Sequence, residues 1–148
     1  MSEQIFFAKV KPDAIIPSKL EEDAGYDVYA NFKEEDIIIG PHTTKMIPTG
    51  IASACSPDFY FQLQERGSTG TKGIAQRCGV IDSGYRKEWF VPLTNTTHKT
   101  LWIDKNVDKI EEDVLLPVPK TEVIEMNYED LKNIASSRGM NCLGSSNK

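Results

Sequence analysis

Cysteine is scarce and shows no pairing pattern. Cys55, Cys78 and Cys142 are scattered, odd in number and never spaced as CxxC. That argues against a zinc site or a disulfide framework and fits reduced thiols of a cytosolic protein. Histidine is scarcer still: His42 and His98 both fall in turn-like segments, as surface residues do. A basic excess is missing too, since 17 Lys and Arg face 22 Asp and Glu for a net charge of −5. A general nucleic-acid surface must neutralise many phosphates, so that partner class is excluded. A small polyphosphate is not, because a local cluster of cations suffices. No run approaches the roughly 20 apolar residues that span a bilayer. The start, MSEQIFF, lacks the basic segment and apolar run of a signal peptide. The expectation is a soluble cytoplasmic protein with no membrane partner.

What is present is ordinary globular material. The chain has 148 residues, 39% hydrophobic and 26% charged, enough for one domain with a real core. Short apolar or alternating runs recur between turn signals. Strands are expected at Ile5–Val10, Tyr26–Ala30, Asp36–Ile39, Lys45–Ile47, Phe59–Gln64, Gly79–Ile81, Trp89–Leu93, Thr100–Ile103, Val114–Val118 and Glu122–Glu125. One helix is expected at Tyr128–Ser136, capped by Asn127, with Leu131, Ile134 and Ala135 as its apolar stripe. Many short strands with turn punctuation predict an all-β barrel or sandwich.

Four segments carry candidate chemistry. In Asp23–Ala30, Asp27 is a charge inside a strand-like run, where a carboxylate pairs with a cation or points to water. Glu65–Gly73 combines glycines, hydroxyls and two cations after a strand. Glycines let backbone N–H groups approach an anion, and Arg66 and the hydroxyls add donors. The segment does not fit the P-loop order, and a plain turn is the competing reading. Gly79–Trp89 sets a carboxylate, a tyrosine and two cations around one hairpin. Asp82 could polarise a water there, and Tyr85 could cover a base or sugar. An exposed turn with a packing tyrosine would look the same. The fourth segment, Ser137-Arg138-Gly139 through Leu143-Gly144-Ser145-Ser146, reads on its own as a frayed tail.

In their order and spacing, AGYD, RGSTGTKG, GVIDSGYR and RG…LGSS together resemble the trimeric all-β dUTP pyrophosphatase (dUTPase) family, and KGIAQRCGVIDSGYR with LLPVPK resembles its firmicute and phage members. The resemblance covers nearly the whole chain from Asp23. It implies a distorted jelly-roll barrel over residues 1–136, with one short helix near its end, and a flexible C-terminal arm over 137–148. The implied reaction is Mg²⁺-dependent hydrolysis of dUTP to dUMP and pyrophosphate by a homotrimer with shared active sites. By the same resemblance Asp82 activates the attacking water and Asp27 holds Mg²⁺ through water. Arg66 with Gly67 or Ser68 binds phosphates, and which hydroxyl faces them is left open. Gly79 opens the hairpin whose backbone reads uracil, and Tyr85 packs under the deoxyribose. Arg138, Leu143, Gly144, Ser145 and Ser146 close over the substrate, Leu143 standing where relatives usually carry a stacking phenylalanine.

Two departures stand out. Lys87 occupies a position where relatives usually have glycine; if the backbone there had φ > 0, lysine would cost about 1 kcal/mol or more. Upstream of LLPVPK, the family's fourth motif ends in Ala-Gln, whereas Asp108–Asp113 runs straight into Val114. The segment looks shortened, and Glu111, Glu112 and Asp113 are expected in a solvent loop, away from any phosphate. This departure keeps open a catalytically weakened or regulatory relative. A dCTP deaminase of the same superfamily fits the GVIDSGYR hairpin less well.

Overall fold

The computed structural model describes residues 2–33, 36–104 and 109–141. Its strands are β1 (Phe6–Lys9), β2 (Tyr26–Tyr29), β3 (Ile37–Ile39), β4 (Thr44–Pro48), β5 (Ile51–Ala54), β6 (Phe59–Gln64), β7 (Ile74–Gln76), β8 (Val80–Ile81), β9 (Phe90–Asn95), β10 (Leu101–Ile103) and β11 (Lys109–Pro117). Two short helices join them, α1 (Gly67–Thr71) and α2 (Tyr128–Lys132). The strands form four sheets, ordered β2-β11-β6-β8, β4-β9-β7, β1-β5 and β10-β3. The architecture is all-β and jelly-roll-like, though among the described residues no single ladder closes a barrel.

The core lies between the sheets and follows from alternation. Val28 of β2, Phe61 and Leu63 of β6, and Val91 and Leu93 of β9 point inward with Ile39, Ile47 and Ile51. Phe7, Phe61 and Trp89 pack as an aromatic cluster, with ring centroids 5.3–5.6 Å apart. The one polar atom of the Trp89 ring is satisfied, its Nε1–H donating to Ser53 Oγ at 3.0 Å.

Several elements differ from expectation. β5 and β7 were not anticipated: Ile51-Ala52-Ser53 is buried at every position and so shows no alternation, and Ile74–Gln76 is too short to register. Glu122–Glu125 forms no strand and is exposed. α2 stops at Lys132, although Asn127 caps it as expected, its Oδ1 accepting the Glu129 N–H at 2.8 Å. Leu131 and Ile134 are exposed, so nothing among the described residues covers the helix's apolar stripe. Lys87 carries no positive φ, which removes the expected strain there. The left-handed region is used nearby instead, by Cys78 at φ 66° and Gly79 at φ 143°.

The largest correction concerns β11. Lys109–Asp113, expected within a shortened solvent loop, forms the first part of a nine-residue strand that continues into the strand expected from Val114 and lies between β2 and β6, antiparallel to both. Glu111 lies opposite Val28, and Asp113 opposite Tyr26 and Leu63, so both carboxylates face the core and are fully buried. Three adjacent charges suggested a loop, but pairing on both sides fixes the backbone. The buried carboxyls respond by holding their protons. Burial first, and the nearby Glu65 and Glu112 second, push Glu111 up to about 8 despite the opposing Arg66. Burial pushes Asp113 up to about 7, against a smaller pull from the Tyr26 backbone. Neither side chain has a hydrogen-bond partner of good geometry among the described residues.

Candidate active site

β2 and β11 present one polar edge, and a single irregularity creates it. Lys109 pairs with Tyr29 and Glu111 with Val28, so Ile110 is an extra residue, a bulge in β11. Residues two apart on a strand normally share a face. The bulge breaks that rule: Glu111 goes to the core with Val28, while Lys109 stays on the outer face with Tyr29 and Asp27. Lys109 Nζ therefore reaches Asp27 Oδ2 at 3.0 Å and lies 5.9 Å from the Tyr29 ring centroid. The hydrogen bond and charge of Asp27 hold the Lys109 ammonium above its ordinary range.

Arg66 joins this edge from the end of β6. It is the residue before α1, with extended φ −77° and ψ 147°, and its side chain folds back across the sheet. Its Nη1 donates to the Lys109 carbonyl at 3.0 Å and to Ser68 Oγ at 3.4 Å. Its Nε is 4.0 Å from Asp27 Oδ1 and makes no hydrogen bond among the described residues. The hydroxyl that the Arg66 guanidinium reaches is thus that of Ser68, whereas Gly67 faces open space. A cleft beside the cluster is lined by Arg66, Ser68, Lys72 and Lys109 together with apolar residues of β7, β10 and β11. Three cations around one cleft make it a place for an anion.

The Gly79–Trp89 segment is anchored to the same sheet. β8 pairs with β6, Ile81 opposite Phe61, and the Leu63 N–H donates to the Gly79 carbonyl at 2.8 Å. Gly79 has a steric reason to be glycine: besides its φ, a Cβ there would sit 2.7 Å from Gln62 Nε2 and 3.2 Å from the Leu63 carbonyl oxygen. Asp82 is exposed at the turn, where its carbonyl accepts the Tyr85 N–H at 3.1 Å. Tyr85 is exposed, and its hydroxyl donates to the Glu88 carbonyl at 3.2 Å. Arg86 is spent on structure, its Nη1 donating to the Ser83 carbonyl at 2.7 Å and the Ser53 carbonyl at 3.3 Å.

The chain thus brings Asp27, Arg66 and Ser68 together. Among the described residues, no hydrogen bond or ion pair joins Asp82 or Tyr85 to that cluster. Arg138 is exposed, its Nε donating to the Asn141 carbonyl at 2.9 Å. Leu143, Gly144, Ser145 and Ser146 lie outside the described residues. The residue that sequence reasoning passed over is Lys109. It stood inside the acidic run, and only the bulge turns it toward Asp27.

Comparison with known proteins agrees on one family. A family model described as dUTPase matches residues 11–146. The deoxyuridine 5'-triphosphate nucleotidohydrolase of Nautilia profundicola is 33% identical over 144 residues, covering 95% of this chain and 96% of that protein. The enzyme of the same name from Clostridioides difficile is 31% identical over 142 residues, covering 93% of each. Among solved structures, the Staphylococcus bacteriophage 80alpha dUTPase with dUpNHpp matches with TM-score 0.79, 19% identity and 97% of this chain against 98% of that one. The dUTPase of phage phi11 of S. aureus, a mutant of which was solved for its coordination of a structural Mg(II) ion, matches with TM-score 0.74 at 18% identity, covering 83% and 96%. At these identities the structural matches speak for the fold alone.

Proposed function

The chain belongs to the dUTPase family, and from that premise we propose that it hydrolyses dUTP to dUMP and pyrophosphate. The observation that carries the reading is the Asp27–Arg66–Ser68 cluster beside a cleft lined with cations. Arg66 and Ser68 hold the phosphates as charged and neutral donors, with Gly67 leaving the backbone approachable. The Gly79 hairpin reads uracil through its backbone, and Tyr85 packs under the deoxyribose. The Asp82 carboxylate orients a water and takes its proton as the water oxygen bonds to the α-phosphorus. The bond from that phosphorus to the bridging oxygen breaks, and pyrophosphate leaves. Catalysis rests on positioning and charge stabilisation. Among the described residues no hydrogen bond or ion pair joins Asp82 to the Arg66 cluster, and on this reading another copy of the chain completes the site. The assembly is then a homotrimer, with Arg138 and residues 143–146 as the closing arm.

Mg²⁺ suits this arrangement in one form. It keeps several waters and takes one or two carboxylates plus substrate phosphates. Among the described residues no group of three or more His, Cys, Asp or Glu could hold a metal. Asp27, a hard oxygen donor, fits an ion carried by the triphosphate and touched through water. Such an ion would supply neutralisation of phosphate charge.

A weakened, regulatory relative is the second reading, and it has its own observation: Glu112 stands directly across from Asp27, and a second carboxylate there opposes a polyanion. Pyrophosphate release from dUTP, with dTTP, dCTP and UTP as controls, separates the two. Release from dUTP alone supports the enzyme; binding without release supports the relative.

A further inference from the structure

Each oxygen of the Asp27 carboxylate already has a cation beside it. Lys109 Nζ is 3.0 Å from Oδ2, and Arg66 Nε is 4.0 Å from Oδ1. The lysine arrives there by design of the backbone, through the bulge at Ile110, and its own carbonyl is held by Arg66 Nη1 at 3.0 Å. The ammonium is partly exposed on a four-carbon stem, and the residue lines the same cleft as Arg66, Ser68 and Lys72. A hydrated divalent ion approaching Asp27 in the free protein meets positive charge at short range, where repulsion is strongest. A polyphosphate changes that balance, because it offers the ammonium a new anionic partner in the same cleft.

Resting on the dUTPase reading, we propose that Lys109 is the resident counter-cation of Asp27: it occupies the carboxylate in the free protein, keeps a free divalent ion off it, and turns to the phosphate chain when substrate arrives. Lys109 is therefore a positioning residue that makes Asp27 available only to an ion delivered with the nucleotide.

The test uses Mn²⁺ as probe, followed by electron paramagnetic resonance on the full chain without nucleotide. Lys109→Met should bind Mn²⁺ about tenfold or more tightly than the unsubstituted protein. Lys109→Arg should resemble the unsubstituted protein, and adding Asp27→Asn to Lys109→Met should remove the gain. Thermal melting confirms that each variant is folded, and Lys109→Gln repeats the measurement with a polar stem. If folded Lys109→Met and Lys109→Gln gain no Mn²⁺ affinity, or if the gain survives Asp27→Asn, the proposal is overturned. A second arm measures dUpNHpp affinity at saturating Mg²⁺, where Lys109→Met should lose about tenfold; unchanged affinity would overturn the turn toward phosphate. Failure of the unsubstituted protein to bind dUpNHpp at all would instead strike at the dUTPase reading, while leaving the Mn²⁺ result to decide the pairing of Lys109 with Asp27.

Discussion

Raising the pH should unfold this protein more easily, and the cause is two carboxyls in the core. Glu111 is raised from 4.5 to about 8 and Asp113 from 3.8 to about 7. For such groups the folded state holds protons that the unfolded state has released, so ν_U − ν_N is negative and stability falls as pH rises. The contribution is intact below the unfolded values near 4 and is lost progressively up to the folded values near 7 and 8. At roughly 1.36 kcal/mol per unit, shifts of this size amount to about 4 to 5 kcal/mol for each group. That is large against the 5–15 kcal/mol typical of a whole domain. The assay is urea unfolding at pH 5.5, 7.0 and 8.5 and fixed protein concentration. The unsubstituted chain should lose several kcal/mol over that range. Glu111→Gln with Asp113→Asn keeps size and removes the titration, so its stability should be nearly flat. A flat or rising profile in the unsubstituted chain, or the same slope in the double variant, would refute the burial argument.

Three further outcomes test the site. Asp82→Asn keeps the shape of an exposed turn residue and removes the basic oxygen, so turnover should fall about 10²–10⁴-fold with melting temperature and dUpNHpp affinity little changed; near-normal turnover takes Asp82 out of the base role. Ending the chain before Arg138 should leave the melting curve intact, because Arg138–Asn141 is exposed, and lower the rate; full activity, or an unfolded product, rejects the arm. Light scattering should give three times the 16.6 kDa chain mass, and a monomer at working concentration would contradict a site shared between copies.

Much of the fold was legible because burial follows alternation. β6 was read at its observed limits, since Phe59, Phe61 and Leu63 alternate with polar partners. β5 escaped because Ile51, Ala52 and Ser53 are all buried, which erases the period. β11 misled because its charges obey a rule for exposed residues while its backbone obeys the sheet. Grafting a segment that ends in Ala-Gln between Asp113 and Val114, an idea that follows from a shortened loop, would instead shift the register of a central strand against β2 and β6. The residue types of the proposed site stood in the sequence, and the structure brings Asp27 and Ser68 to Arg66. Lys109 was not legible, because a bulge depends on how two strands pair and leaves no local signature. The left-handed Cys78, at φ 66°, is similar, since its residue type gives no sign of it.

Cleavage of dUTP by this chain is decided by a single time course. Purified protein with Mg²⁺ is given dUTP, dTTP, dCTP or UTP separately, and pyrophosphate is followed with time. Pyrophosphate and dUMP should appear in equal amounts from dUTP, and almost none from the other three. No release from dUTP by folded protein, or equal release from UTP, would contradict the proposed activity.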